Sequence, residues 1–375
     1  MKKSDHARVG VQQRVLASYR IPFFDELAAT CPGGLSIFAG RPRADESIDV
    51  GARPLIANYS EGRNIHFFNE RYYICWQSGL LRWLKSWQPQ VLIMEANPRY
   101  PLSRSAVRWM KANGGKVIGW GLGSPDPAGW FPAARLALRS RFINTFDALI
   151  TYSQLGAVQY AKLGFPPEKI YTAPNAVAPK PAHALPKRPP KYKASRPAVL
   201  FVGRLQARKQ VNMLIQACSL LLPAMQPRLW IVGDGPQRHD LEDLAGKVYP
   251  ETRFFGAQHG NDLEKLMRDA DLFVLPGTGG LAIQQAMSFG LPVIAGRADG
   301  TQSDLVREEN GWMLQDDTPE SLSRQIQEAL GDIQRLRRMG AASYRIVSEE
   351  INLENMVAVF WRAIESAKEA TCIPC

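Results

Sequence analysis

Apolar residues along the chain come in short bounded runs. In the first half they are LSIFAG (35–40), NIHFF (64–68), QVLIME (90–95), KVIGW (116–120) and DALITY (147–152). Runs of this length, rich in β-branched and aromatic side chains, suit buried strands, and most stretches between them have helical spacing. That alternation argues for βα units around a parallel sheet. The pattern breaks at 176–197, which holds six prolines and seven lysine, arginine or histidine residues without one acid. Such a composition cannot build a core, so 178–197 reads as a linker or exposed loop. Alternation then restarts with AVLFVG (198–203), RLWIVG (228–233), TRFFG (252–256), DLFVLPG (271–277), PVIAG (292–296) and GWML (311–314).

The chain therefore reads as α/β, with one doubly wound domain over 1–177 and another over 198–350. Helix-compatible sequence runs from about Pro319 to Ala370, and a last helix over about 351–370 offers Phe360 and Trp361 for packing back on the first domain. Doubly wound domains bind ligands outside the carboxyl ends of their strands, and two such sets of ends are expected to face one another across a cleft.

Length and composition agree with two soluble domains: 375 residues, 45% of them hydrophobic. The N-terminal MKKSDHARVGVQQ has no apolar core of signal-peptide length, and no later run approaches the roughly 18 residues of a membrane span, so a cytoplasmic protein is expected. Five scattered cysteines do not form a disulfide framework, and the terminal CIPC, with Cys372 and Cys375, reads as a tail. A net charge of +11 implies attraction to something negative. No base-reading basic helix, zinc-ligand spacing or RNA-binding aromatic signature accompanies it, which argues against nucleic acid.

Candidate chemistry lies at strand-to-helix turns. Strand DLFVLP leads into Gly277, Thr278, Gly279 and Gly280, and Leu281 opens LAIQQAMSFG, a helix ending near Gly290. Glycines there let backbone N–H groups approach a ligand, and the helix N-terminus adds partial positive charge, so the turn can cradle a phosphate or a sugar. GRLQARK (203–209) places Arg204 and Lys209 just past strand AVLFV, where a guanidinium fork and a compact ammonium suit a diphosphate. In IVGDGPQRHDLEDL (231–244), Gly233 and Gly235 read as packing positions.

Strand–GRLxxxxK–helix, IVGDGP, FFGA, DADLFVLP and the small-residue turn before AMSFGLPVIA, in this order, resemble family 4 glycosyltransferases of the GT-B fold. The resemblance is strongest over about 198–315. Earlier, TYSQLGAVQYAKLGFPPEKIYTAPNAV (151–177) looks like the family's segment closing the N-terminal domain. It implies two Rossmann-like domains, retaining transfer from a nucleotide-diphosphate sugar to a glycan or lipid-linked acceptor, and neither metal nor other cofactor. By motif, Arg204 and Lys209 stabilise the donor diphosphate as the glycosidic bond breaks. Gly203, Gly256, Ala257, Gly277, Thr278, Gly279, Gly280, Leu281 and Gln285 line the donor.

Two departures accompany the resemblance. Family members usually carry glutamates where this chain has Gly277 and Gln285. Gln285 keeps an acceptor oxygen for ribose hydroxyls, whereas Gly277 offers only backbone. Many members have a histidine where Trp120 stands, and none of the five histidines here occupies that place. A two-carboxylate glycosidase mechanism lacks its acids, and leaving-group stabilisation remains, with the departing phosphate as base. A catalytically silent nucleotide-sugar binder is the alternative. A sugar-nucleotide epimerase of the same fold stays open as a further alternative, though it needs acid and base groups that no residue pair here supplies, whereas a dinucleotide oxidoreductase would need a GxGxxG after an early strand, which the chain does not have.

On the acceptor side the candidates are Tyr19 and Arg20 in the first loop, Glu95 and Asn97 after strand QVLIM, and Trp120. Asp269 and Asp271 mimic an acidic metal motif, but their position favours capping. WQSGLLRWLKSW (76–87) and FPAARLALRSRF (131–142) each combine apolar residues with cations. Either can be a core-facing helix or a transient contact with an anionic membrane surface, in which case the protein is peripheral on the inner face.

Overall fold

A computed structural model of the chain describes residues 7–43, 46, 48–68, 73–125, 131–192, 196–298 and 300–369. The CIPC tail lies outside them. Two compact units emerge: unit 1 runs to Val177 and resumes at Leu353, and unit 2 is Ala178–Asn352.

Unit 1 is built on a seven-stranded sheet. Its spatial order is β3 (Asn58–Glu61), β2 (Leu35–Gly40), β1 (Val9–Val15), β6 (Val91–Glu95), β7 (Lys116–Gly121), β8 (Ala148–Thr151) and β9 (Ile170–Thr172), with every neighbouring pair parallel. Strand β1, an interior strand third in this order, is hidden in the sequence because Gln12 and Gln13 interrupt its apolar run. Both glutamines are buried, and their amides are satisfied internally. The Gln12 amide donates to the Gln77 side chain, Gln13 Nε2 to the Gln12 carbonyl (3.1 Å) and Gln77 Nε2 to the Gln13 carbonyl (3.0 Å). The NIHFF run is not a strand of this sheet. It forms β4 (Arg63–Phe67), antiparallel to β5 (Ile74–Ser78), with Ile65 opposite Trp76.

Helices α1 (Ile21–Ala29) and α13 (Leu353–Glu369) meet through Phe23 and Phe360, whose rings lie 4.8 Å apart, and both rings contact Trp120 at the end of β7. Helices α2 (Leu80–Trp87), α3 (Pro101–Ala112), the end of α4 (Pro132–Ile143) and α5 (Gln154–Lys162) share another core cluster. Leu80, Trp83 and Leu84 of α2 are buried there, so the helical part of 76–87 faces the core.

In unit 2 the order is β12 (Arg253–Phe254), β11 (Arg228–Val232), β10 (Ala198–Val202), β13 (Leu272–Leu275), β14 (Val293–Ala295) and β15 (Gly311–Met313), again all parallel. Helices α6 (Val211–Ser219), α7 (Arg238–Val248), α8 (Gly260–Asp269), α9 (Leu281–Ser288), α10 (Thr301–Leu305), α11 (Pro319–Gly331) and α12 (Ile333–Glu349) complete it. This is doubly wound topology, and its switch point, where a ligand crevice opens, lies between β10 and β13.

The described part of the proline-rich segment is bound to unit 2 and not free. Arg188 donates to the carbonyls of Met267 and Phe289 (both 2.9 Å), Arg268 (3.1 Å) and Ala270, at the C-terminal ends of α8 and α9. A cation there meets unpaired helix carbonyls and the negative end of the dipole, while burial pulls the Arg188 pKa down to about 10. Tyr192 donates to the Leu330 carbonyl (2.8 Å), and Tyr344 to that of His183. No helix among the described residues is long and apolar enough to cross a membrane.

Candidate functional site

Because β10 and β13 are neighbours, the turns that follow them emerge side by side at the switch point. Residues 207–209 close a 3-10 turn, and from it Lys209 Nζ donates to the Thr278 carbonyl at 2.5 Å. Arg208 Nη1 reaches Thr278 Oγ1 at 3.3 Å, and the Thr278 N–H donates to the Arg208 carbonyl at 2.9 Å. Thr278 is thus held from its backbone on both sides and through its hydroxyl.

Glycine is required along this contact. A Cβ on Gly277 would stand 2.2 Å from the Arg208 carbonyl oxygen and 2.6 Å from Lys209 Cα, closer than any side chain is tolerated. At Gly279 the requirement is conformational, since its φ of 144° is strained for an L side chain, while a Cβ there would meet only the movable end of Lys209 (Nζ at 2.5 Å). Similar crowding explains Gly233 and Gly235, whose Cβ atoms would strike the carbonyl oxygens of Gly203 (1.9 Å) and Leu205 (2.3 Å). Backbone of the GRL turn occupies the space that a side chain would need.

Helix α9 starts directly after this turn with Gly280 as its cap and no side-chain cap bond. Among the described residues no acceptor takes the N–H groups of Gly279 or Gly280, so they remain available to an anion, with the helix dipole behind them. Buried Gln302 steadies the turn through Nε2 to the Gly279 carbonyl (3.2 Å), and buried Gln284 anchors α9 through Nε2 to the Ile351 carbonyl (3.0 Å). Leu281 opens the helix, and Gln285, half-buried, sits one turn on.

Arg204 is exposed at the end of β10. Its neighbour Asp234 has a carboxyl held below the usual range, first by the Gly235 N–H, with Arg238 and then Arg204 adding attraction. Gly256 takes a left-handed φ of 67° after β12 and accepts the Gly233 N–H at 2.7 Å, which leaves Ala257 exposed beyond it. Gly203, Arg204, Lys209, Gly256, Ala257, the 277–280 turn and the start of α9 thus all follow the carboxyl ends of β10, β12 and β13.

Burial, reinforced by repulsion from Arg208, pulls the Lys209 pKa down to about 8. If its ammonium holds an anion, the charged form present below pH 8 is the binding form. Affinity is then expected to fall as pH rises through 8, with kcat/KM for the anionic substrate dropping roughly tenfold per pH unit above that. Lys209→Arg, which stays protonated, is expected to remove this alkaline limb. A kcat/KM profile between about pH 6.5 and pH 10 for both proteins checks it.

In unit 1, four of the five acceptor-side candidates cluster. The Arg20 guanidinium lies 5.1 Å from the ring centres of Trp120 and Tyr152 and 5.6 Å from that of Tyr19. Glu95 accepts the Arg14 N–H at 2.6 Å. Its carboxyl is pushed above the usual range by burial, against the pull of Arg14 and Arg20. Asn97 follows Glu95, its N–H donating to the Glu95 carbonyl (2.7 Å) and its Oδ1 accepting the Arg99 N–H (3.1 Å) in the turn leading to α3.

Asp271 is structural: its Oδ2 accepts the Ala198 N–H (2.9 Å) and its Oδ1 pairs with Arg337 (2.7 Å). Among the described residues no group of three histidine, cysteine or acidic side chains is arranged to hold a metal. The sequence reading passed over Arg208, Gln284 and Gln302. Arg208 carried a signal, its place in the basic turn, whereas the glutamines act through contacts distant in sequence.

Residues 196–332 match the family described as glycosyl transferases group 1. An uncharacterized glycosyltransferase of Methanocaldococcus jannaschii is 32% identical over 139 residues, 36% of each chain. A GDP-mannose-dependent monoacylated alpha-(1-6)-phosphatidylinositol monomannoside mannosyltransferase of Corynebacterium glutamicum is 28% identical over 68% of this chain and 71% of its own. For four curated relatives the matched stretch spans only 34% to 51% of the relative's length. Among solved structures, Anabaena Alr3699/HepE in complex with UDP and glucose superposes with a TM-score of 0.66 at 16% identity, covering 96% of this chain and all of that one. Residues 196–332 are therefore a glycosyltransferase group 1 domain within a chain of the GT-B fold.

Proposed function

We propose that this protein is a retaining, metal-independent glycosyltransferase of family 4 that moves a sugar from a nucleotide-diphosphate sugar to a glycan or lipid-linked acceptor. Cell-surface polysaccharide or glycoconjugate synthesis, at the cytoplasmic face of an anionic membrane, is the setting that fits the substrates named for its relatives. One observation carries the reading: Lys209, Arg208 and the available amides of Gly279 and Gly280 converge on a single turn at the switch point of unit 2. Cations and N–H groups concentrated there suit a diphosphate that gains charge as it leaves. The bond from the sugar C1 to the phosphate oxygen breaks with both electrons going to oxygen, where Lys209 and Arg204 stabilise the charge. An acceptor hydroxyl attacks C1 from the same face and its proton passes to the leaving phosphate. Gln285 serves the ribose, and Tyr19, Arg20 and Glu95 serve the acceptor, while Trp120, only 2% exposed, is a core ring against which Arg20 packs.

A melt in the presence of UDP, GDP, ADP and their sugars tests donor binding. A ligand at about 100 times its Kd adds about 2.7 kcal/mol, or roughly 5–10 °C for a domain of this size. No shift with any nucleotide would sink the reading. A second reading, a catalytically silent nucleotide-sugar binder, is favoured by the lack of room for any side chain at position 277. It predicts the same melting shift with no transfer of labelled sugar to any glycan or lipid acceptor.

A further inference from the structure

The crevice of unit 2 holds more positive charge than a diphosphate needs. Turn 277–280 lies between two other turns, as β13 lies between β10 and β14. On the β10 side Arg208 and Lys209 hold Thr278. On the β14 side the Gly296 N–H donates to the Leu275 carbonyl at 3.0 Å, and a Cβ on Gly296 would stand 1.7 Å from the Pro276 carbonyl oxygen. Arg297 follows directly, exposed beside the turn, and among the described residues its polar partner is Gln315, to whose Oε1 it donates from Nη2 at 3.1 Å. Among the described residues none of Arg204, Arg208, Lys209 and Arg297 forms an ion pair, whereas Arg238, Arg307 and Arg337 of the same unit each hold a carboxylate.

The turn itself is short of acid. Among the described residues its hydrogen bonds join it to Arg208, Lys209, Gln302 and the α9 backbone, and none is to a carboxylate. Asp234, whose carboxyl attracts Arg204, is already bonded by the Gly235 N–H and Arg238. Burial and the Arg208 charge pull Lys209 down, with no acid acting against them. Along the chain the next acids are Asp299, outside the described residues, and Asp304 in α10. A neutral hexose offers hydroxyl groups, which donate best to a carboxylate, and position 277 has no room for one. A diphosphate carries one charge on each phosphate and gains another as it leaves, a demand that Arg204, Lys209 and the α9 amides meet. Arg208 and Arg297 are then in excess, Arg297 on the side of the turn away from β10. We propose that the donor sugar is itself acidic, a hexuronic acid whose carboxylate is read by Arg297, with Arg208 holding the turn between them. A guanidinium makes paired N–H···O bonds to a carboxylate that a neutral hydroxymethyl group cannot replace, and an acid on the turn would repel such a sugar. The proposal rests on the reading of this crevice as a nucleotide-sugar site and names the class of its sugar.

Matched donor pairs, titrated into the full chain by calorimetry, test it: UDP-glucose with UDP-glucuronic acid, UDP-galactose with UDP-galacturonic acid, and GDP-mannose with GDP-mannuronic acid. Within at least one pair the acidic sugar is expected to bind at least about tenfold tighter, the scale of one charge-assisted contact. Arg297→Gln is expected to erase that preference while leaving the affinity for UDP or GDP alone unchanged. Arg297 is exposed, so an unchanged melt shows that the variant folds. The proposal is overturned if the neutral sugar binds as tightly as the acidic one in all three pairs, or if Arg297→Gln keeps the preference; in both cases binding of UDP or GDP leaves the nucleotide-sugar site standing. Failure of both nucleotides to bind removes that site, and this proposal with it.

Discussion

Lys209→Ala is expected to lower kcat/KM for the nucleotide sugar by about 10²- to 10³-fold, the usual consequence of removing one donor aimed at developing negative charge. Its effect on stability is small. The lost bond to the Thr278 carbonyl is part-buried and worth about 1 kcal/mol, so the melt moves by about 2–4 °C. Arg204→Ala, at an exposed position with no packing role, leaves the melt unchanged while costing activity on a similar scale. The double variant is expected to lie below detection. Steady-state kinetics with a melt on each variant checks this, and full activity in both single variants would remove Arg204 and Lys209 from the mechanism. Arg208→Ala separates a third role. Arg208 bonds the Thr278 hydroxyl, so its loss loosens the turn and is expected to raise KM more than it lowers kcat.

Gly277→Glu, which restores the residue common in the resembled family, is expected to destabilise unit 2 and not to raise activity. A Cβ at 277 meets the Arg208 carbonyl oxygen at 2.2 Å and the Lys209 backbone at 2.6 Å, so the two turns have to separate by roughly the ångström that a normal contact needs. Overpacking of this kind costs about 1–3 kcal/mol, or about 2–12 °C in the melt. The same separation draws Thr278 away from Lys209 Nζ. Gln285→Glu is the contrasting change: the residue is half-buried on the second turn of α9, the new side chain has nearly the same size, and the melt should stay within about 2 °C. A Gly277→Glu protein that melts with the parent and transfers sugar faster would show that the turns part readily and that the absent carboxylate limits turnover.

Much of the donor side was legible because it is local. Strand-to-helix turns rich in glycine announce themselves wherever an apolar run meets a helical pattern, and all six strands of unit 2 coincide with runs visible in the sequence. Unit 1 was harder to read. Its strand β1 carries two buried glutamines: the Gln12 amide donates to the Gln77 side chain and the Gln13 carbonyl accepts from Gln77, more than 60 residues away. The NIHFF run has strand composition, but nothing in it tells a ladder in the parallel sheet from a separate hairpin.

By itself the sequence determined the two βα alternations, the basic and glycine-rich turns that end their strands, and the excess of positive charge, since each follows from the periodicity or chemistry of neighbouring residues. Only the tertiary structure decided which turns meet. It brought Arg208 and Lys209 onto Thr278, bound the proline-rich segment to unit 2 through Arg188, and turned the apolar face of α4 outward and that of α2 inward. The physical reason is common to all three. Close backbone approach, the capping of helix carbonyls by a distant cation and the choice of which helix face is covered all depend on what lies opposite, and local sequence does not specify that.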